Sequence, residues 1–177
     1  MSLSLVFTTG RRVMKSNLLI VAKIILISAF LTPVYAITTP ILDYRQLVTA
    51  LEQGDEVRAV IHIDKCILNT DTESEKIPNL TGTSTRLNFN NYTHHKLHIG
   101  EDLKDTIATS ITMLIETPHG EFWNHYGRLR VFEDNSANFY IAYYDPITNQ
   151  KKLSMDWTCQ LGNGKNGNAI ILFDVKF

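Results

Sequence analysis

Apolar and polar residues alternate along most of the chain, and one stretch switches to helical spacing. In "LDYRQLVTALEQGDEV", Tyr44, Leu47, Val48 and Leu51 recur at i, i+3, i+4 and i+7 and make a single apolar stripe. Asp43 stands where an N-cap belongs, with Gln46 three residues on as a capping-box partner. Leu42 and Leu47 occupy the hydrophobic-staple positions, and Gly54 is placed to end the helix. This pattern predicts an amphipathic helix between Asp43 and Gly54. The preceding "ITTPI" reads as a short extended linker, because Pro40 disfavours helix at the residue before it.

After Gly54 the period becomes two. "VRAVIHI" puts Val57, Ala59, Ile61 and Ile63 on one face, and Cys66 follows directly. "NTDTESEKIPNLTGTS" is polar and reads as a long exposed loop, and "TRLNFNNY" alternates again through Leu87 and Phe89. In "DTIATSITMLIET", Ile107, Ile111, Leu114 and Ile115 fit a helical stripe, while Ile107, Ile111, Met113 and Ile115 fit a strand face. The wealth of Ile and Thr decides for strand. "FWNHYGRLRVF" is a further strand, with Gly127 marking a possible bulge site. "ANFYIAYYD", "KKLSMDWTCQL" and "AIILFDVKF" are separated by the turns "DPITNQ" and "GNGKNGN". Leu153, Met155, Trp157, Cys159 and Leu161 share a dry face of their strand, so the expected architecture is an antiparallel meander. The fold class expected is therefore α+β: one N-terminal amphipathic helix packed on a curved antiparallel β-meander or partial barrel.

The first 36 residues change the picture. "RRVMKSNLLIVAKIILISAFLTPVYA" has a basic start (Arg11, Arg12, Lys15), an apolar run broken by Lys23, and a small-residue ending at Ala36. Those are the parts of a secretory signal peptide, with cleavage expected after Ala36. "IILISAFL" is short for a bilayer core of roughly 30 Å, so an uncleaved anchor is the lesser alternative. "MKSNLLIVAKIILISAFLTPVYA" is a complete signal by itself, so either Met1 or Met14 can start it. The organisation expected is a signal peptide at 1–36 and a single domain at 37–177. Residues 1–36 hold four of the 17 basic residues and none of the 18 acidic ones, which leaves 37–177 five charges negative. That balance argues against nucleic acid, whose affinity rests on phosphate neutralisation, and against anionic membrane surfaces. The mature chain is expected to have no membrane span and to meet an unidentified protein or envelope partner, in the periplasm or outside the cell.

Export gives the two cysteines a meaning. In an oxidising compartment Cys66 and Cys159 have one intramolecular connectivity, and a disulfide is the expected state, with buried thiols as the alternative. The order of these features also carries a resemblance. "YRQLVTALEQGDEV" leads into an alternating strand and Cys66, and "YYDPITNQKKLSMDWTC" lies near the end. This resembles the VirK family of exported bacterial proteins, at Tyr44, Leu47, Leu51, Gly54, Val57 and Cys66, then at Asp145, Pro146 and Cys159. Residues 69–115 read differently from the family pattern. The resemblance implies a secreted chain linked to virulence or host association. It implies no catalytic motif, cofactor or established molecular function.

Candidate chemistry is sparse. His94, His95 and His98 in "NYTHHKLHIG" are the sharpest constellation of metal-type ligands. On a helix His94 and His98 would share a face, but on a strand their positions are roughly 13 Å apart, too far for one ion. They stand as weak zinc candidates, with His119 and His125 possible additions through folding. Cys159 on a dry face is a poor nucleophile. "GNGKNG" lacks the pattern of a phosphate loop. Phe122, Trp123, Tyr126, Phe139, Tyr140, Tyr143 and Tyr144 fall on successive strands, with Phe139 and Tyr143 on one face and Tyr140 and Tyr144 on the other. An aromatic face left exposed would bind a protein, lipid or glycan. The function expected is non-catalytic binding. The alternatives are a histidine-dependent metal-binding protein or metalloenzyme, and a small barrel around an apolar ligand.

Overall fold

A computed structural model describes residues 37–69, 82–162 and 169–176. The expected signal segment 1–36, most of the polar loop expected after Cys66 and the turn expected at 163–168 lie outside the described residues.

The chain opens with strand β1 (Ile37–Ile41), helix α1 (Tyr44–Glu52) and strand β2 (Glu56–His62). A 3-10 turn at Ile63–Lys65 and a two-residue strand β3 (Ile67–Leu68) follow, then β4 (Ser84–Asn88) and β5 (Tyr92–Ile99). Four long strands come next: β6 (Asp102–Glu116), β7 (Phe122–Phe132), β8 (Ser136–Tyr144) and β9 (Lys151–Gln160). The last described strand is β10 (Ile170–Lys176). These strands form two antiparallel sheets, a four-stranded one ordered β1-β10-β2-β4 and a six-stranded one ordered β3-β9-β8-β7-β6-β5.

This corrects the expected fold class. The protein is mostly β, with two sheets that are not closed and one short helix, rather than an α+β domain on a single curved sheet or partial barrel. The helix expected between Asp43 and Gly54 supplies only nine residues, too few to form a layer. Its start is built locally: Asp43 Oδ1 accepts from Gln46 N at 2.8 Å, and Gln46 Oε1 accepts from Leu42 N at 2.9 Å. Gly54 takes φ +80° to turn the chain out of it. The meander is real from β5 to β9, but β10 leaves it and inserts between β1 and β2. "ITTPI" is a strand rather than a linker, and Pro40 is tolerated because β1 is an edge strand. Gly127 pairs in register with both Ile111 and Ile141, so no bulge forms there. The register slips instead between Tyr143 and Tyr144 against β9.

Both sheets and the helix feed one core. Val57, Ala59 and Ile61 of β2 and Ile170 and Leu172 of β10 are buried with Leu129 and Val131 of β7, Phe139 of β8 and Trp157 of β9.

 Leu47 and Leu51 of α1 close the same cluster from the side, beside Tyr44. Cys66 and Cys159 are joined by a disulfide, with Cα atoms 4.6 Å apart. The bond sits where the chain passes from the small sheet to the large one, tying the end of β2 to the middle of the core through β9. Among the described residues no helix is long and apolar enough to cross a membrane.

Candidate functional site

Alternation along β7 sends Leu129 and Val131 into the core and Tyr126, Arg128 and Arg130 to the opposite face of the six-stranded sheet. The neighbouring strands complete that outer face. Tyr140 stands opposite Arg128 and Asn138 opposite Arg130 on β8, while Ser110 and Ala108 oppose the same two arginines on β6. The Arg128 guanidinium lies 5.0 Å from the centre of the Tyr140 ring, and Tyr126 meets Tyr140 edge-on at 6.2 Å. Such a cation–aromatic contact holds a guanidinium in place without neutralising it. Arg128 Nη2 donates to Asn138 Oδ1 at 3.3 Å, but its Nε is enclosed with no hydrogen-bond partner.

The β4–β5 connection, with Asn90 and Asn91, walls one side of this face and leaves a cleft of about 560 Å³. Thr93, His95, Ser110 and the two arginines line it. Burial and the nearby Arg128 guanidinium push the Arg130 pKa down. Among the described residues neither arginine has a carboxylate within ion-pair distance. Asp156 on β9 lies on that face opposite Tyr140, and it already accepts from Asn69 and Asn138. Burial, with Tyr140 next to it, also pushes the Tyr144 phenol up.

A second cleft, of about 660 Å³, lies at the start of α1 between Asp43, Arg45, Asp105 and Glu133. Asn135 holds it together: in the left-handed conformation (φ 63°), its Oδ1 accepts from Tyr44 N at 2.7 Å. Three carboxylates against one guanidinium make this cleft acidic, which disfavours an anionic ligand.

The histidines are not brought together. His94, His95 and His98 all lie on β5, where alternation puts His95 on the opposite face from the other two. His94 Nε2 is 3.0 Å from Asp105 Oδ1, and that contact holds the Asp105 carboxyl below its usual range. His95 lines the arginine cleft, His119 stands in the β6–β7 turn, and His125 lies on β7 against Tyr143, with ring centres 5.1 Å apart. Among the described residues no cluster of three or more His, Cys, Asp or Glu side chains has metal-site geometry. The barrel alternative fails because the sheets do not close. The aromatics divide as alternation requires, with Phe139 in the core and Tyr140 and Tyr144 on the outer face.

Arg128 and Arg130 carry the site and were not singled out by the sequence reading. The signal was present in "HYGRLRVF", where two arginines alternate with Leu and Val. What the sequence does not display is that no acid among the described residues pairs with them.

The fold and the site define a class: a two-sheet, disulfide-tied β protein with a polar, aromatic cleft on one sheet and no assembled catalytic set among its described residues. The comparisons then place it in a family. The VirK protein family matches residues 40–149, and the chain belongs to the VirK family. The match runs through residues 69–115 and ends before Cys159. The crystal structure of lpg1832, a VirK family protein from Legionella pneumophila, is similar in fold, with a TM-score of 0.55 at 16% identity over 76% of this chain and 98% of that one. No curated protein matches the sequence.

Proposed function

We propose that this VirK family protein is exported behind its first 36 residues and acts by non-catalytic binding in the periplasm or outside the cell, in the host-associated setting that the family resemblance implies. The observation that carries export is the Cys66–Cys159 disulfide, a bond that persists in oxidising compartments and is rare in the cytosol. The binding reading is supported by the outer face of the six-stranded sheet, where half-buried arginines stand beside tyrosines with no ion pair among the described residues. Fixed donors and aromatic surfaces of this kind suit recognition.

The test is an intact mass of the protein recovered after export by its own host, together with a hydrolase screen of the same sample. A chain beginning at Ile37 and lacking two hydrogens is expected, with no turnover. A retained N-terminus or two free thiols overturns export, and turnover lost with one side chain overturns the non-catalytic reading.

A further inference from the structure

We propose that the Arg128–Arg130 cleft is a binding site for a small organic anion, a carboxylate or a phosphate ester held by both guanidiniums. The inference rests on the binding reading above and names the ligand chemistry.

Charge accounting comes first. A half-buried cation is costly unless an opposite charge or a full set of hydrogen bonds compensates it. Here two guanidiniums emerge on the same side of one strand, two residues apart, so each raises the cost of the other. Their side chains have no ion pair among the described residues, and Arg128 Nε has no acceptor at all. Asp156 compensates Arg130 only from a distance, because Asn69 and Asn138 occupy it. The missing partner is an acceptor-only group in the cleft. Planar guanidiniums match carboxylate and phosphate oxygens in paired hydrogen bonds, which is the geometry Lys would not offer.

Size and lining narrow the class. About 560 Å³ lies within the range of small-molecule sites and exceeds what a bare inorganic ion fills. Hydroxyls of Thr93 and Ser110 and the His95 ring line the remainder, and the Tyr126 ring adds an apolar wall. The ligand therefore carries a polar organic body behind its anionic head. A nucleic acid would need a run of cations along its backbone, and two arginines in an acidic chain do not supply one.

The test is calorimetric titration of the exported, disulfide-bonded protein with citrate, with glucose 6-phosphate and with inorganic phosphate. At least one organic probe is expected to bind with a Kd below about 1 mM, more tightly than inorganic phosphate and more weakly as salt rises. Citrate alone would identify a carboxylate site, and glucose 6-phosphate alone a phosphate site. Arg128→Gln and Arg130→Gln are each expected to weaken that binding about tenfold or more, and Arg130→Lys to restore part of it. Arg45→Gln, in the other cleft, is expected to leave it unchanged. Thermal melts of every variant confirm folding, and Arg130→Lys reads the site if a glutamine variant fails to fold. The proposal is overturned if neither organic probe saturates by about 10 mM, or if the folded arginine variants bind as the parent does. Such a failure would leave the export and non-catalytic readings standing, since those are decided by mass and turnover.

Discussion

The two sheets are built in opposite ways. In the large sheet, β6 to β9 each pair with the strand before them, through short turns whose chemistry is written locally. Asn135 and Asn149 take positive φ in the β7–β8 and β8–β9 turns, and Asp145 accepts from the backbone N–H of Ile147 and Thr148 at 3.0 and 2.9 Å. The small sheet is assembled from the two ends of the described chain, with β10 threaded between β1 and β2. Local pairing closes short loops, whereas β10 must find partners more than a hundred residues away, an ordering cost that local strands avoid. The large sheet carries the site, and the small sheet completes the core beneath it.

The disulfide bridges these two modes of construction, and removing it has the largest expected effect. Its cysteines are 93 residues apart, and the chain-entropy model for such a loop gives about 4–5 kcal/mol as an upper value. A Cys66→Ala, Cys159→Ala variant is expected to shift the denaturation midpoint by most of that amount. Unchanged stability would show that the sheets are held by packing alone.

The next test separates the sheets kinetically. Leu129 of β7 and Leu172 of β10 are both fully buried, so replacing either with Ala is expected to cost about 3 kcal/mol. If the meander forms first, Leu129→Ala slows folding, while Leu172→Ala chiefly accelerates unfolding. Stopped-flow chevrons check this, and equal partition in the two variants would break the contrast. A smaller effect lies at the helix that follows β1. Asp43→Ala removes the N-cap acceptor of Gln46 N and is expected to cost about 1 kcal/mol, read as a shift in thermal midpoint.

The same contrast explains what could be read in the sequence. Strands β6 to β9 and their turns were legible because alternation and turn residues are local properties. The helix cap was legible for the same reason, at Asp43 and Gln46. The fold class was not, because a strand's pattern states which face is buried and is silent about which strand lies beside it. "AIILFDVKF" has the same alternation whether it continues the meander or crosses to the other sheet. "ITTPI" has no alternation, and its pairing with β10 is supplied by the partner. The disulfide was legible through the cysteine count and the expectation of export, an expectation that rests on residues outside the described ones. Of the site, the outer tyrosines were visible, but that Arg128 and Arg130 have no ion pair among the described residues depends on where folding places the acids.

The smallest expected effect reverses the contrast, because acid weakens the sheet that is otherwise the better specified. Asp134 in the β7–β8 turn is pulled toward protonation by burial, yet hydrogen bonds from Lys104 and Ser136 outweigh this and hold its carboxyl at about 2. Lys104 Nζ reaches it at 2.6 Å from β6, so the carboxylate links two hairpins. Backbone N–H groups of Thr148 and Ile147 hold Asp145 at about 2 in the next turn. A folded pKa below the unfolded one means that the unfolded chain takes up the proton first as pH falls. The stabilisation is therefore fully present above the unfolded value of 3.8 and is lost as pH falls toward about 2. Both groups are solvent-screened, so the loss is small beside that of the disulfide or of a core leucine. Urea titrations at pH 6 and pH 3 are expected to show a smaller acid loss in Asp134→Asn than in the parent. An identical loss would place the acid sensitivity outside the meander turns.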